Sequence, residues 1–222
     1  MNLINILLKM LPDLGKAFLE TFEMVGISLS LAIVLGLLLG LFLYITRKGL
    51  FLENITLNVL AGIVINIIRS IPFVILLVLL LPLTQFLTKT TIGPIAASVS
   101  LSVTAIAFFA RLVESALCEV EPGVIEAAVA IGATPLHIIY SVLLSEALPG
   151  ILRGITVTAI SLIGYSAMAG IVGGGGVGDL AIRFGYYRYQ TDVMIVTVTL
   201  LIVLVQVIQI TGENAADKAD QK

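Results

Sequence analysis

The chain has 222 residues, 59% of them hydrophobic and 12% charged, with a formal net charge of −2 and a mean hydropathy of +1.15. One soluble core cannot use so much apolar surface, and the charged share is about half the ordinary one. The bilayer is therefore the solvent, and a chain without a basic cluster carries no footprint for nucleic acid.

The first apolar stretch, residues 1 to 20, lacks the short core and small-residue cleavage site of a removable signal, so it is expected in the mature chain. Leu3, Ile6, Leu7, Met10 and Leu14 alternate with Lys9, Asp13 and Lys16 in a pattern that suits a helix lying at the membrane interface. Five spanning segments follow, at about 22–45, 56–83, 92–112, 150–172 and 191–211, each long enough to cross about 30 Å as helix. An odd number of crossings places the termini on opposite sides. Charge does not orient the chain. Arg47, Lys48, Arg111, Arg153, Lys218 and Lys222 fall on one side against Lys9, Lys16, Lys89, Arg183 and Arg188 on the other. One transmembrane domain is expected over 1–212, and the polar stretch 213–222 reads as a flexible tail.

The second segment is interrupted by Asn66, Arg69, Ser70 and Pro72. An arginine at membrane depth has to face protein or water, and Pro72 removes the donor for the Ile68 carbonyl, so a kink is expected beside the charge. The bend either lines a pathway or holds an arginine that snorkels to the interface. In the fourth segment Gly164, Ala167, Ala169 and Gly170 permit close helix packing across a dimer axis. There Met168 is a candidate flexible plug, and Tyr165 and Ser166 are candidate pathway residues.

The connection between the third and fourth segments is polar and long. Pro122 suits the first turn of a short helix, and Gly132 the position just past its end. Thr134 suits the cap of a second helix and Pro135 that helix's first turn. A helical hairpin outside the membrane is predicted at about 122–148, with Val124, Ala127, Ala128 and Ile131 on one face seeking a protein groove. Glu126 either meets a donor on a partner or stabilises its own first turn. Arg111 and Glu114, three apart, are expected to pair.

Other features carry less. Cys118, the single cysteine, forms no internal disulfide, and His137 lacks a second metal ligand nearby. The run Gly173–Gly176 lacks the lysine and hydroxyl of a phosphate loop and reads as a flexible exit from the fourth segment.

Glu126-Ala127-Ala128, three residues and then Gly132 resembles the EAA motif of ABC importer permeases, whose coupling helix docks on a cytoplasmic ATPase. Ser145 stands where that motif continues with proline, and Pro149 offers a bend four residues later. Arg69-Ser70-Ile71-Pro72-Phe73, Ala110-Arg111-Leu112-Val113-Glu114, Gly132-Ala133-Thr134-Pro135, Glu146-Ala147-Leu148-Pro149-Gly150 and Gly164-Tyr165-Ser166-Ala167-Met168 together are similar to the methionine-uptake branch of that family.

The resemblance implies an all-α integral membrane protein with five transmembrane helices and a cytoplasmic coupling-helix hairpin, the type I ABC importer permease fold. It implies two cytoplasmic ABC ATPase subunits, a second copy of this chain and an extracytoplasmic substrate-binding lipoprotein. Cargo would be methionine, D and L, moved by alternating access across a bacterial inner membrane, with the N-terminus outside. No P-loop pattern occurs here, so ATP and Mg belong to the partner and this chain carries no cofactor. A permease for another amino acid or an osmoprotectant is the alternative. An ion-coupled carrier is less favoured, since Arg69 is the one charge deep in a span.

Overall fold

The computed structural model describes residues 3–50 and 52–220, and among the described residues every regular element is helical. Among the described residues four helices are long and apolar enough to cross a membrane, and a sharply bent pair makes a fifth where it is taken as one broken span.

The first crossing is longer than expected. Helix α1 (Leu3–Leu31) passes through a π-helical turn (Ala32–Gly36) into α2 (Leu37–Ile45), all in right-handed helical conformation. The candidate span Met10–Ile45 has 36 residues, about 54 Å at 1.5 Å per residue, and its charge-free part begins after Glu23. The separate interface helix expected before residue 22 is not set off from this crossing: α1 runs on through Glu20-Thr21-Phe22, and Thr21, a possible cap, instead accepts from the Val177 N–H. Side chains before Met10 lie outside the described residues; Met10 and Leu14 pack against Val177, Leu180 and Val193 of the same chain.

The second crossing is broken outright. Asn54 caps α3 (Ile55–Ser70), its side chain accepting from the Leu57 N–H at 3.1 Å. The chain then turns by 106° into α4 (Phe73–Leu79), followed by α5 (Leu81–Thr88). The Ile68 carbonyl accepts a 3.4 Å bond from the Ile71 N–H, and the Pro72 carbonyl restarts the ladder with Ile75 and Leu76 at 2.9 and 3.0 Å. The kink predicted at Pro72 is thus a full stop and restart.

Helix α6 (Pro94–Cys118) is the central pillar, with Leu101, Phe109, Ala110, Val113 and Leu117 at most 1% exposed. Small residues let α2 reach it: a Cβ on Gly40 would stand 2.6 Å from the Ala110 carbonyl oxygen. Helix α3 is clasped to the pillar by Arg111. Its Nη1 meets Glu114 at 2.5 Å, and its Nη2 donates to the Gly62 carbonyl and to Asn66 Oδ1 at 3.1 Å each. Below the pillar, the Arg47 guanidinium donates to Cys118 Sγ at 2.6 Å.

After the hairpin described below, α10 (Leu148–Ala169) crosses back and ends in a 3-10 turn (Gly170–Val172). The glycine run that follows is closely packed rather than a loose exit. Gly173, Gly175 and Gly176 have φ of 83°, 79° and 90°, and a Cβ on Gly174 would stand 2.8 Å from the Ala169 carbonyl oxygen. Glu20 Oε2 accepts from the Gly176 N–H at 2.8 Å and Thr21 Oγ1 from the Val177 N–H at 2.9 Å, tying α1 to α11 (Gly176–Leu180). A carboxylate in the first crossing thus serves the backbone of the last connection.

A π-helical turn (Ala181–Tyr186) leads into α12 (Thr191–Asp220). The tail expected from 213 is instead the last two turns of this helix. Ala216 is buried, and Arg153 at the foot of α10 meets Asp220 at 3.1 Å and Asp217 at 3.7 Å. Gly212, at the edge of the expected tail, is a close contact: a Cβ there would stand 2.0 Å from Thr156 Oγ1. Residues 221 and 222 lie outside the described residues.

Gly178 tests this close packing, since a Cβ there would stand 2.2 Å from the Ala167 Cα. Gly178→Ala is expected to cost about 1–3 kcal/mol by overpacking, read as an earlier thermal melt in detergent. Gly15→Ala, inside α1 with nothing within 4 Å of its Cβ, should melt no earlier than the wild type.

Candidate functional site

The connection between α6 and α10 folds as the predicted hairpin, and each turn residue does the work its chemistry suits. Helix α7 (Pro122–Ala130) starts with Pro122 in its first turn. It ends in a Schellman motif, with the Ala133 N–H on the Ala128 carbonyl at 3.1 Å and the Gly132 N–H on the Val129 carbonyl at 2.9 Å. Gly132 holds φ at 81°, where a side chain would be strained although nothing lies within 4 Å of its Cβ. Thr134 caps α8 (Pro135–His137), its hydroxyl accepting from the His137 N–H at 3.4 Å, and Pro135 opens that helix. A π-helical turn (Ile138–Leu143) and α9 (Leu144–Glu146) carry the chain to α10. Ser145 lies in α9, and Pro149 in the first turn of α10.

The hairpin has two faces, divided differently from the sequence expectation. Ala128 does not join Val124, Ala127 and Ile131. It is buried, and with half-buried Ile125 and Ala133 belongs to the cluster of Ile138, Ile139 and Leu143. That cluster is continuous with Leu117, Val113 and Phe109 of the pillar. The outer face shows Val124, Ala127, Val129 and Ile131, the last 85% exposed, with Leu136 and Tyr140 beside them. Glu126 is exposed and stands beyond the first turn of α7, on a cleft of about 490 Å³ lined also by Gly49, Leu50 and Ile125. The first-turn alternative for its carboxylate therefore lapses. His137 lies exposed, its Nδ1 3.4 Å from Ser141 Oγ. Among the described residues no group of three His, Cys, Asp or Glu is placed to hold a metal.

The candidate pathway residues are only partly brought together. Arg69 and Ser70 end α3, Ser70 donating to the Asn66 carbonyl at 2.7 Å, and Pro72 precedes α4. Across the break, Phe73 stacks on Tyr165 with ring centroids 4.9 Å apart, joining α4 to α10. Met168, one turn beyond Tyr165, is 43% exposed in the single chain. Ser166 turns the other way. It is buried and donates to the Ile163 carbonyl at 2.7 Å, so it does not share the face of Met168. Phe73, quoted in the sequence only within the Arg69–Phe73 fragment, and Phe108, which lies beneath the Arg69 guanidinium at 6.0 Å, are not marked as site residues by the sequence, because each reads as one apolar residue among many.

The model of binding-protein-dependent transport system inner membrane components matches residues 32–213. A probable D-methionine transport system permease protein MetI of Vibrio cholerae is 51% identical over 203 residues, covering 91% of this chain and 90% of its own length. The methionine import system permease protein MetP of Bacillus subtilis is 46% identical over 180 residues, 81% of each chain. Among solved structures, the MetNI methionine ABC transporter in inward-facing conformations superposes with a TM-score of 0.92 at 44% identity. That match covers 95% of this chain and 98% of that one.

Thr134→Ala removes the cap of α8 at a cost of about 1 kcal/mol. Hydrogen exchange at the His137 amide should quicken about fivefold, with the core of α6 unchanged.

Proposed function

The chain belongs to the family of binding-protein-dependent transport system inner membrane components, and from that premise we propose that it is the permease subunit of an ATP-driven methionine importer. The observation that carries the reading is the hairpin. It stands between two crossings, exposes an apolar face ending in Ile131, and is continuous with the pillar through Ala128, Ile138 and Leu143. A face of that kind is suited to the groove of another protein. Its inner side is suited to pass motion into the spans, because packed cores shift as units rather than deform.

Two cytoplasmic ATPase subunits bind and hydrolyse ATP with Mg and grip Glu126, Ala127, Ile131 and the corner Gly132-Ala133-Thr134-Pro135. Ala128 anchors the same helix from within. Two copies of this chain enclose the path, with the α3–α4 break at Arg69, Ser70 and Pro72 and the Tyr165–Met168 face turned toward it. Met168 narrows the path, and Ser166 supports the helix from behind. An extracytoplasmic lipoprotein delivers methionine, D or L, from the outer side of a bacterial inner membrane, where the N-terminus lies. Cargo is moved, not altered. The methionine assignment is supported by the relatives, at up to 51% identity over nine-tenths of the chain.

Purification with the ATPase subunit and reconstitution in liposomes provides the test. Methionine should enter only with ATP and the binding protein present, and other amino acids should compete at least tenfold more weakly. Entry without ATP, or stronger competition by another amino acid, would sink the reading. Gly132→Val should leave ATP hydrolysis in place and lower methionine moved per ATP at least tenfold, since the corner requires positive φ.

A further inference from the structure

Arg69 is the charge deep in the spans whose partner the fold does not supply. It closes α3 at the break and is exposed in the single chain. Its depth is fixed by its neighbour: the guanidinium lies 6.0 Å from the Phe108 ring centroid, and Phe108 stands near the middle of the 25-residue crossing Pro94–Cys118. Among the described residues the ion pairs engage Lys16, Arg111, Arg153 and Arg183, and Arg69 is in none of them. Arg111, nearer the hairpin, shows what a structural arginine looks like in this bundle, with a carboxylate, a carbonyl and an amide around it. A guanidinium cannot shed its charge, and at that depth an unpaired one marks a route for cargo or ions.

We infer that Arg69 recognises the α-carboxylate of the cargo as it crosses, an assignment that rests on the importer reading above. The break provides the setting. Between Ser70 and Phe73 the backbone leaves the helix, and beyond it the Phe73–Tyr165 stack places aromatic surface next along the chain. Met168 lies one turn from Tyr165 on α10, on the same side of that helix. A planar cation at the end of α3 and, on α10, the half-buried Tyr165 ring with the exposed Met168 thioether suit an amino acid with a soft, apolar side chain. The carboxylate meets the guanidinium fork and the side chain meets Tyr165 and Met168, while buried Phe73 backs the Tyr165 ring. Lysine would keep the charge and lose the fork.

The complex of permease and ATPase, purified in detergent, would be tested for equilibrium binding of labelled methionine and labelled methioninamide, which lacks the carboxylate. The wild type should hold the acid at least tenfold tighter than the amide, the loss expected for one charge-assisted bond. In Arg69→Gln that preference should shrink to within twofold, and Arg69→Lys should retain part of it. In liposomes, with the same unaltered binding protein supplying cargo, Arg69→Gln should move at least tenfold less methionine per ATP. Equal binding of acid and amide by the wild type, or wild-type transport by Arg69→Gln, overturns the inference. Dissociation of the two permease copies in Arg69→Gln, read by light scattering, overturns it too, because the guanidinium would then be pairing with the second copy. A wild type that takes up no methionine with ATP defeats the importer reading itself, so that arm is read first.

Discussion

Hydrocarbon offers no hydrogen bonds, so every backbone donor and acceptor at membrane depth has to be satisfied by the chain itself. The architecture follows from how that demand is met at the places where helices stop. At the α3–α4 break the carbonyls of Ile68 and Pro72 are taken up locally by Ile71, Ile75 and Leu76. At the glycine run Glu20 and Thr21 reach across from the first crossing to receive the Gly176 and Val177 amides, and the Gly93 amide donates to the Gly173 carbonyl at 2.9 Å. Irregular backbone survives where neighbours complete it, and those neighbours thereby become fixed parts of one body.

That body extends beyond the membrane. Ala128, Ile138, Ile139 and Leu143 share a cluster with Phe109 and Leu101 of the pillar, so the hairpin is a projection of the core rather than an appended loop. The turn chemistry of Gly132, Thr134 and Pro135 sets its shape. Its outer face is left apolar and exposed, a surface of the kind suited to meet another protein.

The hairpin was legible in the sequence because its signals are local: proline in a first turn, glycine just past an end, threonine as a cap. The crossings were legible because length and apolarity suffice. What the sequence concealed depends on contacts distant along the chain. Ala128 was assigned to the outer face because helical spacing cannot say which of two apolar faces the core takes. Ser166 was grouped with Tyr165 and Met168 by proximity, although one residue's step turns a helical side chain by about 100°. The glycine run looked loose because its partners, Glu20 and Thr21, lie 156 residues away. The residues beyond 212 looked like a loose tail because nothing nearby announces Thr156 as the surface Gly212 lies against, or Arg153 as the partner of Asp217 and Asp220.

The unbroken rod formed by α1, its π turn and α2 has a mechanical corollary. At 36 residues, Asp13, Lys16, Glu20 and Glu23 among them, it outruns a bilayer core of about 30 Å, so it leans or stands proud of the lipid. Its C-terminal half is locked against α6 through Gly36 and Gly40, and its N-terminal half is tethered at Glu20. Any rotation of the bundle that pivots near the Gly40 end is therefore magnified with distance along the rod, and the turns farthest from that pivot sweep the widest arc.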